Sequence, residues 1–139
     1  MFKMHLLSVI SLLLSLSMAF DIRDFGAVAD DDSLSAEQIN GQAIMDAIVA
    51  ANYTDTDRTV FVPNMTFHCM PVWATHINNI TFQIDGTIML SKRHHKIPLR
   101  KEKKIRDMFF FEDVDGLTVQ GVGTVDGQGY MWWIRELLS

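Results

Sequence analysis

The chain has 139 residues, 48% of them hydrophobic and 21% charged, with a formal net charge of −5 and one cysteine. That apolar fraction is ample for one modest core, while Gly 8 and Pro 3 are too few for a collagen-like or wholly disordered chain. A single cysteine excludes a disulfide-framework miniprotein, and an acidic balance gives no nucleic-acid footprint.

The first nineteen residues form a unit of their own. Lys3 and His5 precede the apolar run Leu6 to Leu16, and Ser17-Met18-Ala19 follows with small residues at the outer positions. The run is too short to cross about 30 Å of hydrocarbon as a helix, which takes about 20 apolar residues. Its charge, length and small-residue end predict a secretory signal peptide over residues 1–19, with no stable membrane anchor. Cleavage after Ala19 leaves residues 20–139, and loss of Lys3 takes the mature net charge to −6. The alternative is an uncleaved or buried N-terminal helix, which Ser8, Ser11 and Ser15 make less comfortable. A secreted, extracellular chain makes candidate N-glycosylation acceptors of Asn52, Asn64 and Asn79, each followed two residues later by Thr. Cys69, lacking an intrachain partner, is expected to be buried as a small hydrophobe.

From Ser35 the pattern is helical. Ile39, Ala43, Ile44, Ala47, Ile48 and Ala51 recur at spacings of three to five, Ser35 is placed as N-cap with Gln38 completing a capping box, and Asn52 marks the end. An amphipathic helix is predicted over Ala36 to Ala51. The period then changes to two. Strands are predicted at Thr59 to Val62, Phe67 to Met70, Ile80 to Ile84, Thr87 to Leu90, Met108 to Phe111, Leu117 to Val119 and Thr124 to Val125. Asn79 to Ile88 and Gly116 to Val125 align without a gap at an offset of 37 residues, with identical Thr, Gln, Gly and Thr and apolar residues exchanged only for apolar ones. A strand–turn–strand unit repeating in this way predicts stacked turns of a solenoid, with Gly86 and Gly123 supplying the bends. The competing fold is two similar hairpins in a sandwich, but the two-residue Asn-Gly turns of such hairpins are missing.

Four stretches carry a family resemblance. Asp24-Phe25-Gly26-Ala27-Val28 with Asp30-Asp31-Asp32, Asn40, Ala43-Ile44 and Ala47-Ile48 resembles the opening of polygalacturonases and other pectin-lyase-like proteins. Thr59 to Pro63 looks like their first strand, and Asn79 to Ile88 and, most specifically, Gly121 to Gly129 with Trp132-Trp133 are similar to the polygalacturonase group in particular. The resemblance implies a mainly β chain folded as a right-handed parallel β-helix, here its N-terminal rungs, with the amphipathic helix over the open end. It also implies inverting hydrolysis of pectic polysaccharide. That reaction uses one carboxylic acid to protonate the leaving oxygen and another carboxylate to activate water. The family's Asn-Thr-Asp, Gly-His-Gly and Arg-Ile-Lys motifs do not occur, and its Asp-Asp pair has no counterpart on a central rung. Asn52-Tyr53-Thr54-Asp55 is no match, and Asp30-Asp31-Asp32 precedes the helix, so no catalytic residue is carried over.

Eight of the twelve Lys and Arg residues lie between Lys92 and Arg106. They read as a solvated insertion, or else as a hold on an anionic polyuronate. His94-His95 lacks a third ligand for a metal, and no cofactor is expected. Glu112, Asp113 and Asp115 read as turn formers at a strand end, and Phe109 to Phe111 and Trp132-Trp133 as packing. The functional expectation is the N-terminal portion of a secreted polygalacturonase-like glycoside hydrolase, inactive by itself, whose full-length form acts on pectic polysaccharide. The alternative is a non-enzymatic β-helix module that binds polysaccharide or protein.

Overall fold

A computed structural model of the chain describes residues 19–98 and 107–138. The expected leader up to Met18, the basic residues from Arg100 to Arg106 and the Trp132 side chain lie outside the described residues. No helix among those described is long and apolar enough to cross a membrane.

The chain is mainly β, and every strand pairing among the described residues is parallel. After strand β1 (Phe20–Asp21) and a 3-10 turn (Ile22–Phe25) comes helix α1 (Leu34–Asn52). Strands β2 (Thr59–Val62), β3 (Thr66–Cys69), β4 (Val72–Ile84), β5 (Thr87–Leu90), β6 (Phe109–Gln120) and β7 (Thr124–Asp126) follow, then helix α2 (Gly129–Leu138). One sheet has the order β1-β2-β4-β6 and the other β3-β5-β7. From β2 onward consecutive strands alternate between the two sheets, the arrangement of a coil, and a face-to-face pair of hairpins is ruled out.

The register bears out the repeat. Ile80 pairs with Leu117, Phe82 with Val119, Thr87 with Thr124 and Ile88 with Val125, each at the offset of 37 residues. Within β2, β3, β5 and the last residues of β4 alternate side chains point inward, so Val60, Val62, Phe67, Phe82, Ile84 and Ile88 form the core between the sheets. The outward positions carry Thr59, Thr81 and Thr118 in one column and Thr66, Thr87 and Thr124 in another. Gly86 and Gly123 are required by close approach. A Cβ on Gly86 would collide with the Pro63 carbonyl oxygen, and one on Gly123 with the carbonyl oxygen of Gly86.

Several elements differ from the reading of the sequence. The N-cap of α1 is Ser33, whose Oγ accepts from the Ala36 N–H at 3.2 Å, and Ile39 is exposed on the outer side. The buried stripe runs through Asn40, Ala43, Ile44, Ala47, Ile48 and Ala51, and Ile39 lies about 100° from Asn40 around the helix. Strand β4 begins at Val72, eight residues earlier than expected, and the two predicted strands Met108 to Phe111 and Leu117 to Val119 are one strand, β6. Both long strands bend at left-handed residues that stack on each other: His76 (φ 56°) and Asn79 (φ 51°) in β4, Asp113 (φ 54°) and Gly116 (φ 80°) in β6. Glu112, Asp113 and Asp115 therefore lie inside a strand, not at its end. Residues 129–138 form a helix that periodicity did not reveal, and Trp133 on it is exposed rather than packed.

Candidate functional site

Polar side chains of α1 take the place of missing strand neighbours. Asn40 is fully buried: its Oδ1 accepts from the Val28 N–H at 2.7 Å, and its Nδ2 donates to the carbonyls of Val28 and His68 at 2.9 and 2.7 Å. A buried amide with three such partners satisfies backbone groups that no strand reaches. One turn earlier, the Glu37 carbonyl accepts from the Met70 N–H at 2.8 Å. At the far end of the helix, Asn52 Oδ1 accepts from the Asn78 N–H at 2.9 Å and its Nδ2 donates to the His76 carbonyl at 3.0 Å. Both groups belong to the part of β4 that β2 does not pair. Gly41 lets helix and strand approach, since a Cβ there would lie 2.9 Å from the Met70 carbonyl oxygen.

The Glu37 side chain is buried and held at both oxygens. Ser91 Oγ donates to Oε2 at 2.7 Å and the Arg93 guanidinium to Oε1 at 2.6 Å, while the same guanidinium nitrogen donates to the Asp32 carbonyl at 2.7 Å. Arg93, expected to be a solvated member of the basic run, is thus tied to α1. Lys92 and Lys96 are exposed, as is His95, and His94 to Lys96 form a short 3-10 turn. No group of three or more His, Cys, Asp or Glu side chains suited to a metal occurs among the described residues.

The remaining carboxylates with known partners have structural tasks. Asp113 pairs with His76 on the neighbouring turn. Asp85 accepts from Gln83 Nε2 at 2.6 Å, and Gln83 in turn accepts from Gln120 Nε2 at 2.7 Å, a ladder along the outer face. Asp126 accepts from the Gln128 N–H at 2.8 Å and from its Nε2 at 3.2 Å, locking the glycine-rich turn. Partial burial works against the Asp21 carboxylate, but hydrogen bonds from the Arg23 side chain and backbone, with the Arg23 charge, hold it below its ordinary range. Burial, with the Glu37 charge adding to it, pushes the Cys69 thiol up to about 12. Sequence reading missed His76 and Glu37, because their partners lie 37 and 56 residues away in the chain.

The three acceptor asparagines occupy unlike places. Asn52 is engaged as above, Asn64 is exposed in the turn between β2 and β3, and Asn79 is exposed at the second bend of β4. A shallow cavity of about 230 Å³ lies between α1 and β4, lined by Val49, Asn52, Trp73, Thr75 and Ile77 among others. Inverting hydrolysis needs two carboxyl groups about 6.5–9.5 Å apart with space for water, and Glu37, Asp85, Asp113 and Asp126 are each engaged in a local bond.

Comparison with known proteins finds distant similarity to polygalacturonases. An exopolygalacturonase from Platanus acerifolia is 32% identical over 121 residues, which cover 84% of this chain and 28% of that protein. The chain is a distant relative of the polygalacturonases. A polygalacturonase from Chamaecyparis obtusa is 29% identical and one from Juniperus ashei 26%, each again over 84% of this chain and 21% and 22% of the relative. The polygalacturonase-like chain thus spans roughly a quarter of the length of these relatives. No protein-family model matches it. No solved structure matches it.

Proposed function

We propose that this chain supplies the opening turns of a secreted polygalacturonase-like glycoside hydrolase and that these turns alone do not hydrolyse pectin. The observation that carries the reading is the match to polygalacturonases over 84% of a chain whose strands already alternate between two parallel sheets. In this reading the coil is a right-handed parallel β-helix and α1 is its N-terminal cap. The way Asn40 and Asn52 satisfy open strand edges supports that role. Hydrolysis of a pectic link would fall to carboxylates on further turns, since the family resemblance carries no catalytic residue onto these.

The chain incubated with polygalacturonate is expected to release no reducing ends, and turnover that depends on the purified chain would overturn the reading. Reading the transcript beyond the codon for Ser139 supplies the positive test. Asn-Thr-Asp and Asp-Asp pairs on later turns are the expected result. A second reading, a non-enzymatic module that binds polysaccharide, draws on the uncharged Thr columns and the Gln83–Gln120 ladder of the outer face. Binding to a neutral or pectic glycan column without hydrolysis, together with a stop codon directly after Ser139, would favour it.

A further inference from the structure

The three acceptor sequences look alike, yet their asparagines differ in what the fold asks of the amide. Asn52 meets β4 with the edge of its amide that carries Oδ1 and the N–H beside it, because the groups it serves, the His76 carbonyl and the Asn78 N–H, are two residues apart on one strand. A sugar joined to an asparagine nitrogen makes it a secondary amide, and secondary amides strongly prefer the substituent trans to the carbon chain. That places the sugar beside Oδ1, where the hydrogen now bonded to His76 lies. The hydroxyl of Thr54, which completes the acceptor sequence, is also engaged, with Thr56 Oγ1 at 3.1 Å and as acceptor from the Thr56 N–H at 3.4 Å. Asn64 is different. It is exposed in a tight turn closed by the Met65 N–H on the Pro63 carbonyl at 2.7 Å, and its side chain has no hydrogen-bond partner among the described residues.

We propose that Asn64 is a glycan acceptor of the folded chain and that Asn52 is a closed one, its amide serving as a clamp between α1 and β4. Its occurrence in the cell rests on the secretion reading above, but the chemical selectivity does not, and the two are tested separately. The full chain, prepared without glycans, is treated with a soluble asparagine glucosyltransferase and a sugar nucleotide, and peptides are analysed by mass spectrometry. Modification of a clamped amide requires local opening, so occupancy at Asn64 should exceed that at Asn52 by about tenfold or more in the native chain, and the gap should close in the denatured chain. Asn64→Gln should remove the sugar from the peptide that carries residue 64 and leave the melting temperature unchanged, whereas Asn52→Gln should lower the melting temperature and leave the modification at Asn64 in place. Comparable native occupancy at Asn52 and Asn64, or a native Asn64 that stays bare while the denatured chain is modified there, would overturn the proposal. Expression of the full chain in eukaryotic cells tests the other premise: retention inside the cell without any glycan counts against secretion alone, and secreted material bearing sugar on Asn52 counts against the clamp.

Discussion

At the scale of single residues, the side chains that matter most stand in for strands. Asn40 has no counterpart in an apolar-stripe view of α1, yet it occupies the middle of the buried face. Replacing it by Ala strips partners from the Val28 N–H and from the Val28 and His68 carbonyls. Leaving buried groups unpaired costs about 1–3 kcal/mol each when water cannot enter, so Asn40→Ala should lower unfolding free energy by about 3 kcal/mol in urea titrations. An effect below about 0.5 kcal/mol, ordinary for a surface change, would mean that those groups find water instead. Cys69 gives a second prediction. Its thiol is buried and held protonated up to about 12, whereas in the unfolded chain it ionises near its ordinary value. The folded state therefore binds the proton more tightly, and the stability that this contributes is whole below about pH 8.5 and shrinks as pH rises from there toward about 12. Iodoacetamide at pH 8.5 should leave the native chain unlabelled and label it fully in urea. Cys69→Ala should remove part of the alkaline loss of stability, and prompt native labelling would show that the thiol is not shielded.

At the scale of elements, short alternating strands were legible because one side faces the core and the other water. Thr59–Val62 and Thr87–Leu90 have the expected limits for that reason. The first half of β4 was hidden because the left-handed bends at His76 and Asn79 break the alternation, so its inward residues Val72, Ile77 and Ile80 are spaced five and three apart. Helix α1 was legible in kind, but its start was not. Ser33 and Ser35 are equal as caps by composition, and the need to bury Ala36 and Glu37 selects the earlier one. Glu37 shows a further limit of pattern reading, since a glutamate on an inward position makes sense only beside Arg93 and Ser91. Removing a partner from a buried charge costs several kcal/mol, less when the partner is partly in water, so Arg93→Ala should destabilise the chain by about 2 kcal/mol. The double change Glu37→Gln with Arg93→Ala should recover part of that loss. If the double variant is the sum of the two single ones, the pair is not coupled.

At the scale of the whole molecule, the two ends of the described coil are unlike. Phe82 and Ile88 are 2% and 0% exposed, but Val119 and Val125, their partners on the next turn, are 57% and 46% exposed. The core side chains of the last turn thus face solvent on a side where β6 and β7 are the outermost strands of their sheets. The repeat made this turn legible, but the sequence could not show that its inward valines lack a covering layer among the described residues, because the residues themselves are those of a buried rung. Open strand edges flanked by apolar side chains are templates for pairing with another chain, and charged residues on the edge suppress it. The chain should therefore self-associate with rising concentration in light scattering. Val119→Lys should reduce that association without lowering the melting temperature, since Val119 is already more than half exposed and loses little packing. The same substitution at Phe82 would unfold the chain, because a lysine at a 2% exposed position between β2 and β6 brings an unpaired charge into the core. Equal association of the Val119→Lys chain and the parent, with both folded, would place the contact elsewhere and leave the exposed face of β6 and β7 without a part in it.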